Sequence, residues 1–339
     1  MTLPTPHSPF PDATDRRRRD RARDRMIVAA IAVLFLAGFV GLATATGWEE
    51  TLADLARLGW GEVAILLALS GVNYLARAVR WHLMARRLGL PVTPGQSLRH
   101  FLGGFAMSVT PGRVGELVRM RWIRRETGWP VERSAPLVLV DRAADLAAMA
   151  LILAAALALS TGAPAGAAAV VALALAAAWA ATNPGFAGRA VEVLWRMVRR
   201  WPRLFARARG AARSLGRFRS GPILGAAFGL GILGWMAEAW AFHLLLEWMG
   251  VGIGFWPAAA IFVFATLAGG LTGAPGGVGG AEAAMFALLV AAGVPAGPAL
   301  AATAVIRLTT LWFAIGIGIV VFPVAERCAK RGDHALENR

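Results

Sequence analysis

The chain has 339 residues, 57% of them hydrophobic and only 16% charged, with a mean hydropathy of +0.58. A soluble domain of this length needs more charge to cover its surface, so the composition excludes one. Lys+Arg 35 against Asp+Glu 20 gives a net charge of +15, but the basic residues sit in short segments between apolar blocks. That is topology by the positive-inside rule; nucleic acid is not a partner, because its recognition needs a soluble basic surface with interleaved aromatics.

The apolar blocks run for roughly 18 residues or more, enough to cross a hydrocarbon core of about 30 Å. In lipid the backbone must satisfy its own hydrogen bonds, and no alternating barrel pattern is present, so the fold class is an all-α polytopic membrane protein. Residues 1–25 are Pro-rich and then Arg-rich, and read as a cytoplasmic tail ahead of a retained first helix rather than a cleaved signal peptide. The single Cys328 precludes an internal disulfide, and the histidines show no metal-ligand spacing, so no metal or other cofactor is expected.

In chain order, Met26–Gly47 crosses outward, and Trp48–Trp60 forms an interfacial connection. The block from about Gly61 to Arg80 returns, delivering Arg80, Arg86 and Arg87 to the cytoplasm. Gln96–Arg125 is interrupted by Thr110-Pro111-Gly112-Arg113, and a single crossing would strand Arg121, Arg124 and Arg125 outside. A re-entrant hairpin open to the cytoplasm avoids this, since Pro both stops a helix and starts the next. Ser134–Ser160 then goes out, and Ala165–Ala181 returns. Asn183–Ser220 is densely basic with Trp195, Trp201, Phe205 and Phe218 interleaved, which predicts one or two amphipathic helices on anionic lipid at the inner leaflet.

Gly221–Met249 goes out again. Trp256–Val294 carries no Lys or Arg and is cut by Thr272-Gly273-Ala274-Pro275-Gly276-Gly277, predicting a second hairpin that enters from outside. Leu300–Pro323 comes back in, ahead of a cytoplasmic tail over 326–339. The expected membrane domain is therefore 26–325, with about six full transmembrane helices and two re-entrant hairpins. It comprises a first repeat over about 61–181, the basic segment 183–220 and a second repeat over about 221–325. Both termini lie in the cytoplasm, below a bacterial inner membrane.

The two breaks share an order: Pro111-Gly112-Arg113-Val114-Gly115-Glu116 against Pro275-Gly276-Gly277-Val278-Gly279, with Glu282 shortly after. Paired Gly/Pro-interrupted segments entering from opposite faces are what an inverted repeat predicts, and they point to a transporter's midplane site.

These residues carry a resemblance. Thr110-Pro111-Gly112-Arg113 with Glu116 and Arg119, Asp141-Arg142 with Asp145, Pro275-Gly276-Gly277-Val278-Gly279 with Glu282, and then Arg307 resemble the flippase-like membrane domain of lysylphosphatidylglycerol synthases. Arg80-Trp81 fits the same pattern, and the likeness extends from about Gly61 to Pro323. A stand-alone member without the aminoacyltransferase domain is expected, so the resemblance implies lipid movement between leaflets, or handling of a lipid-linked substrate, without the synthase reaction.

Ionisable groups inside a bilayer are costly and mark candidate function. Arg113 at the helix start after Pro111, with Thr110 and Arg119, suits a phosphate through free N–H groups and paired guanidinium bonds, and Glu116 either joins that site or neutralises an arginine and locks the hairpin. Gly276 and Gly277 allow close approach at the second break. Glu282 either balances Arg307 or accepts a proton. Asp141 and Asp145 share a face, and with Arg142 between them they read as an ion-pair network rather than a metal or acid–base site. Arg80, Arg142 and Arg307 widen the positive field, and Glu238 lies near Trp235, Trp240 and His243.

No Gly-x-x-x-x-Gly-Lys-Ser/Thr loop is present, which argues against ATP-driven transport by this chain alone. The leading expectation is a flippase- or scramblase-like transporter, not an enzyme, for a phospholipid or polyprenyl-phosphate-linked lipid held between the hairpins. The alternatives are a membrane enzyme acting on a lipid-linked headgroup and a scaffold for a soluble transferase docked on 183–220. A homo-oligomer is compatible with each.

Overall fold

A computed structural model describes residues 58–108, 117–160, 167–198, 202–218 and 221–337. Among these residues there is no strand, and the chain is an all-α membrane protein. The first apolar block and the first break, with Thr110, Arg113 and Glu116, lie outside the described residues.

Helix α1 (Trp60–Arg87) has Glu62 in its first turn and Arg86 and Arg87 in its last, charges that complement the helix dipole. It runs seven residues past the predicted end at Arg80, and Arg80 is fully buried rather than delivered to a membrane surface. The reason is a pair of carboxylates on a neighbouring helix, described below.

Helix α2 (Pro94–Gly104) starts at a capping box between Thr93 and Gln96, with Pro94 in the first turn, and tightens into a 3-10 turn over Phe105–Met107. Helix α3 (Val118–Thr127) ends on Gly128 at φ 74°, whose N–H returns to the Arg124 carbonyl at 2.8 Å. The start of α2 meets the end of α3. Glu126 accepts from Gln96 Nε2 at 2.9 Å and from Arg99 Nη2 at 2.8 and 2.9 Å. The two arms therefore return to one end of the bundle, the geometry of a hairpin.

Helix α4 (Val131–Leu159) is followed by α5 (Ala167–Thr182), α6 (Pro184–Val198) and α7 (Pro202–Ser214). The described part of α5 is shorter than the ~20 residues a full crossing takes, and α6 turns 82° away from it. Helix α8 (Gly221–Trp248) runs antiparallel to α1, with Gly231 against Arg80 and Gly234 against Asn73. A Cβ on Gly234 would sit 2.7 Å from the Asn73 Oδ1, so only glycine lets the two helices come this close.

Helices α9 (Phe255–Leu271) and α10 (Gly280–Ala291) flank the second break. At 17 and 12 residues they are too short to cross singly, about 25 and 18 Å. A last helical run follows as α11 (Ala296–Arg307), a π-helical turn over Leu308–Trp312, and α12 (Phe313–Glu337).

The last run begins earlier than Leu300 and continues past Pro323, because its buried face does. Leu311, Ile315, Gly318, Phe322, Ala325, Ala329 and Gly332 alternate three and four residues apart, which makes a seam at coiled-coil spacing. Gly318 lies against the Phe105–Ala106 backbone, Ala325 against Gly103, and Gly332 against Glu126. Four helical segments among the described residues are long and apolar enough to cross a membrane: α1, α4, α8 and the run Ala296–Asp333. A fifth is added if α5 and α6 make one broken span.

Candidate functional site

One face of α1 is polar in an otherwise apolar helix. Ser70, Asn73, Tyr74, Arg77 and Arg80 follow at three- and four-residue steps, and all are buried. The three helices they meet supply the partners.

From α4 come Asp141 and Asp145. Arg80 Nη2 donates to Asp141 Oδ1 and to Asp145 Oδ1, each at 2.6 Å, and Arg80 Nε to Asp141 Oδ1 at 3.1 Å. Arg77 Nη2 donates to Asp145 Oδ2 at 2.7 Å. Arg142, on the α4 face beside them, donates to Asp141 Oδ2 at 2.8 Å and stands 3.5 Å from Asp145. The Trp235 indole on α8 completes the set by donating to Asp145 Oδ1 at 3.3 Å. The carboxylates are thus saturated by guanidinium groups, which bears out an ion-pair network as the arrangement of Asp141, Arg142 and Asp145. The network brings Arg80 into the same cluster.

From α8 also comes Glu238, 4% exposed and beside the Asn73 amide. From the π-helical turn comes the Thr310 carbonyl, which accepts from the Tyr74 hydroxyl. A π-helical turn leaves backbone carbonyls out of the regular ladder, and such turns recur at functional positions. Tyr74 also packs edge-on to Phe105 at 5.2 Å and against Phe313 at 5.9 Å. One residue of α1 therefore touches both the turn that ends α2 and the last helical run.

Arg119, in the first turn of α3, is 1% exposed. Its guanidinium lies 4.5 Å from the Phe101 ring centre, 5.4 Å from Trp81 and 5.7 Å from Phe105, a cation–π stack closed by Gly104. Arg77 lies 5.6 Å from the same Phe101 ring. Phe101 therefore joins Arg119 of the first hairpin to the α1 network.

The second break is braced separately. Gly276, Gly277 and Gly279 have φ of 63°, 69° and 86°, a region that favours glycine, so Pro275–Gly277 makes only a distorted 3-10 turn and α10 begins at Gly280. The helix does not start directly after Pro275, and Glu282 lies in its first turn rather than deeper. Glu282 Oε2 accepts from the Gly279 N–H at 2.7 Å, and Glu282 Oε1 from Arg307 Nε at 2.6 Å. Arg307 Nη2 donates to the Gly276 carbonyl at 3.1 Å. Glu282 and Arg307 therefore pair, and together they hold the bare backbone of the break. Gly276 faces Leu311, and Gly277 faces the Gly269 backbone, so the chain itself makes the close approaches at these glycines.

The predicted residues fall into three groups. Arg80, Asp141, Arg142 and Asp145 share the α1–α4 network. Arg119 sits in the aromatic stack. Gly276, Gly277, Glu282 and Arg307 form the second brace. Sequence reasoning missed Ser70, Asn73, Tyr74 and Arg77, although polar residues at helical spacing inside an apolar helix were a signal for them. Among the described residues no group of His, Cys, Asp and Glu is placed to hold a metal ion.

At the hairpin mouth, Glu126 is half-buried. Burial alone raises its carboxyl, but His100, with Nε2 at 3.2 Å, and Arg99 outweigh that and hold it below the usual glutamate value.

The sequence pattern described as "Lysylphosphatidylglycerol synthase TM region" matches residues 27–318. The chain is also 34% identical over 111 residues to a UPF0104 membrane protein of Methanothermobacter thermautotrophicus, an alignment that covers 33% of this chain and 32% of that protein.

Proposed function

Because the chain belongs to the family of the lysylphosphatidylglycerol synthase transmembrane region, we propose that it is a membrane carrier for a phospholipid or polyprenyl-phosphate-linked lipid. The headgroup passes through the zone where the end of the first arm and the second break approach the last helical run, while the acyl chains remain in lipid.

The observation that carries this reading is a convergence. The Phe105–Met107 turn that ends the first arm packs on Gly318 and the second break on Leu311, two turns apart on one helix, about 10 Å. Tyr74 and the polar face of α1 stand between them. Irregular backbone is tolerated at membrane depth only where protein buries it or water reaches it. Paired breaks of this kind surround the substrate in transporters built from inverted repeats. On this reading Arg77, Arg80, Arg119 and Arg142 supply a positive field for a phosphate. The basic ends of the helices face the cytoplasm of a bacterial inner membrane.

A non-enzymatic role fits the carboxylates, since Asp141, Asp145 and Glu282 are each bonded to an arginine and none stands ready as an acid–base group. Native mass spectrometry of the purified chain tests the reading. One anionic lipid class should be enriched on the wild type and depleted at least about tenfold on Arg77→Gln, which removes one charge-assisted contact. Equal retention of bulk lipid by both would count against an interior headgroup site.

A further inference from the structure

Helix α6 has a face that the transport reading does not use. The elbow that aims it is built into the sequence: Asn183 Oδ1 accepts from the N–H groups of Gly185 and Phe186 at 3.0 and 3.1 Å, with Pro184 opening the helix. This cap fixes α6 at 82° to α5, whose last turns carry Trp179, 59% exposed and stacked on Phe186. An exposed tryptophan at the end of an apolar helix marks the membrane–water boundary.

From that point α6 presents three faces. Ala187 and Trp195 point inward, Ala187 against the core cluster and Trp195 against Phe205 of α7. Arg189, Glu192 and Arg196 form a charged face. Phe186, Val193, Leu194 and Met197 form an apolar face, with Met197 77% exposed. In a helix lying across the end of the bundle, such a stripe needs a cover.

We propose that this cover is the membrane itself, and that α6 is an interfacial helix that binds anionic phospholipid. Its apolar face rests at the acyl-chain boundary, and its arginines reach the headgroup phosphates. Charge complementarity selects this occupant: the segment 183–220 contains ten arginines with Glu192 as its one acidic residue. This surface is separate from the interior zone, so either proposal can fail without the other.

The test uses the full chain carrying Cys328→Ser, with Glu192→Cys, Val193→Cys or Met197→Cys added singly. Each is reconstituted in phosphatidylcholine vesicles with and without phosphatidylglycerol. A water-soluble thiol reagent should react with positions 193 and 197 about tenfold more slowly than with 192 when phosphatidylglycerol is present, and Arg189→Gln with Arg196→Gln should abolish that protection. Equal reactivity at all three positions overturns the proposal. Protection indifferent to phosphatidylglycerol overturns the anionic recognition, and protection that vanishes on diluting protein into excess lipid assigns the face to a second copy instead.

Discussion

Phe101 shows how few residues connect the interior. Its ring lies within cation–π distance of both Arg77 and Arg119, so it links the α1 network to the first hairpin. Arg80 is the network's centre, because its fully buried guanidinium donates to both aspartates at 2.6 Å. Removing one partner of a buried pair leaves an uncompensated charge, at a cost of about 3–5 kcal/mol. Arg80→Met should therefore lower the thermal stability of the detergent-purified chain sharply, and adding Asp141→Asn with Asp145→Asn should restore much of the loss. A single variant as stable as the wild type would show that the network does not support the fold. Asp141 and Asp145 were legible in the sequence as charges in an apolar context, and Arg80 entered as a candidate through the family resemblance. The burial of Arg77 and Arg80 was not legible, because arginines near the end of an apolar block read as the point where the helix leaves the membrane. Only the aspartates on α4, distant in sequence, make them buried residues.

Among the elements, the all-α class and the interruption after Thr272 were legible from the apolar blocks and the Pro-Gly pattern. The extent of the last helix was not. Pro323 and the polar residues after it look like an end, yet Ala325, Ala329 and Gly332 continue the packing seam against the first hairpin. Small residues carry no hydrophobic signal of their own, so such a seam shows only once its partner is in place. The hairpin mouth yields a pH prediction. The folded-state pKa of Glu126 is depressed, so its stabilising contribution is fully present above the unfolded value of about 4.3 and is lost as pH falls through the folded one. Melting temperatures should separate wild type from Glu126→Gln at neutral pH and converge as the solution is acidified below that value. A gap that is constant with pH would mean the carboxylate's charge is not what ties α2 to α3.

For the whole molecule, the path of the chain sets the geometry. Arg217 Nη1 donates to the Leu88 carbonyl, so α8 begins at the end of the bundle where the first hairpin opens. It then spans 28 residues, about 42 Å, to the other end, where α9 starts. The paired ends of α2 and α3 therefore lie at the end of the bundle opposite the start of α9, and the second break meets the last helical run at Leu311. Alternating exposure of a fixed site to the two sides follows from such a layout if the hairpins rock in turn, and this is the sense in which the chain is proposed to carry lipid. The most direct measurement is leaflet exchange of a fluorescent phospholipid in vesicles containing the full chain, followed by chemical quenching of the outer leaflet. The account predicts that quenching goes to near completion with wild-type protein and stops at the outer-leaflet half with Arg77→Gln. Quenching that stops at half with folded wild-type protein, for every phospholipid and polyprenyl-phosphate lipid tried, would contradict it.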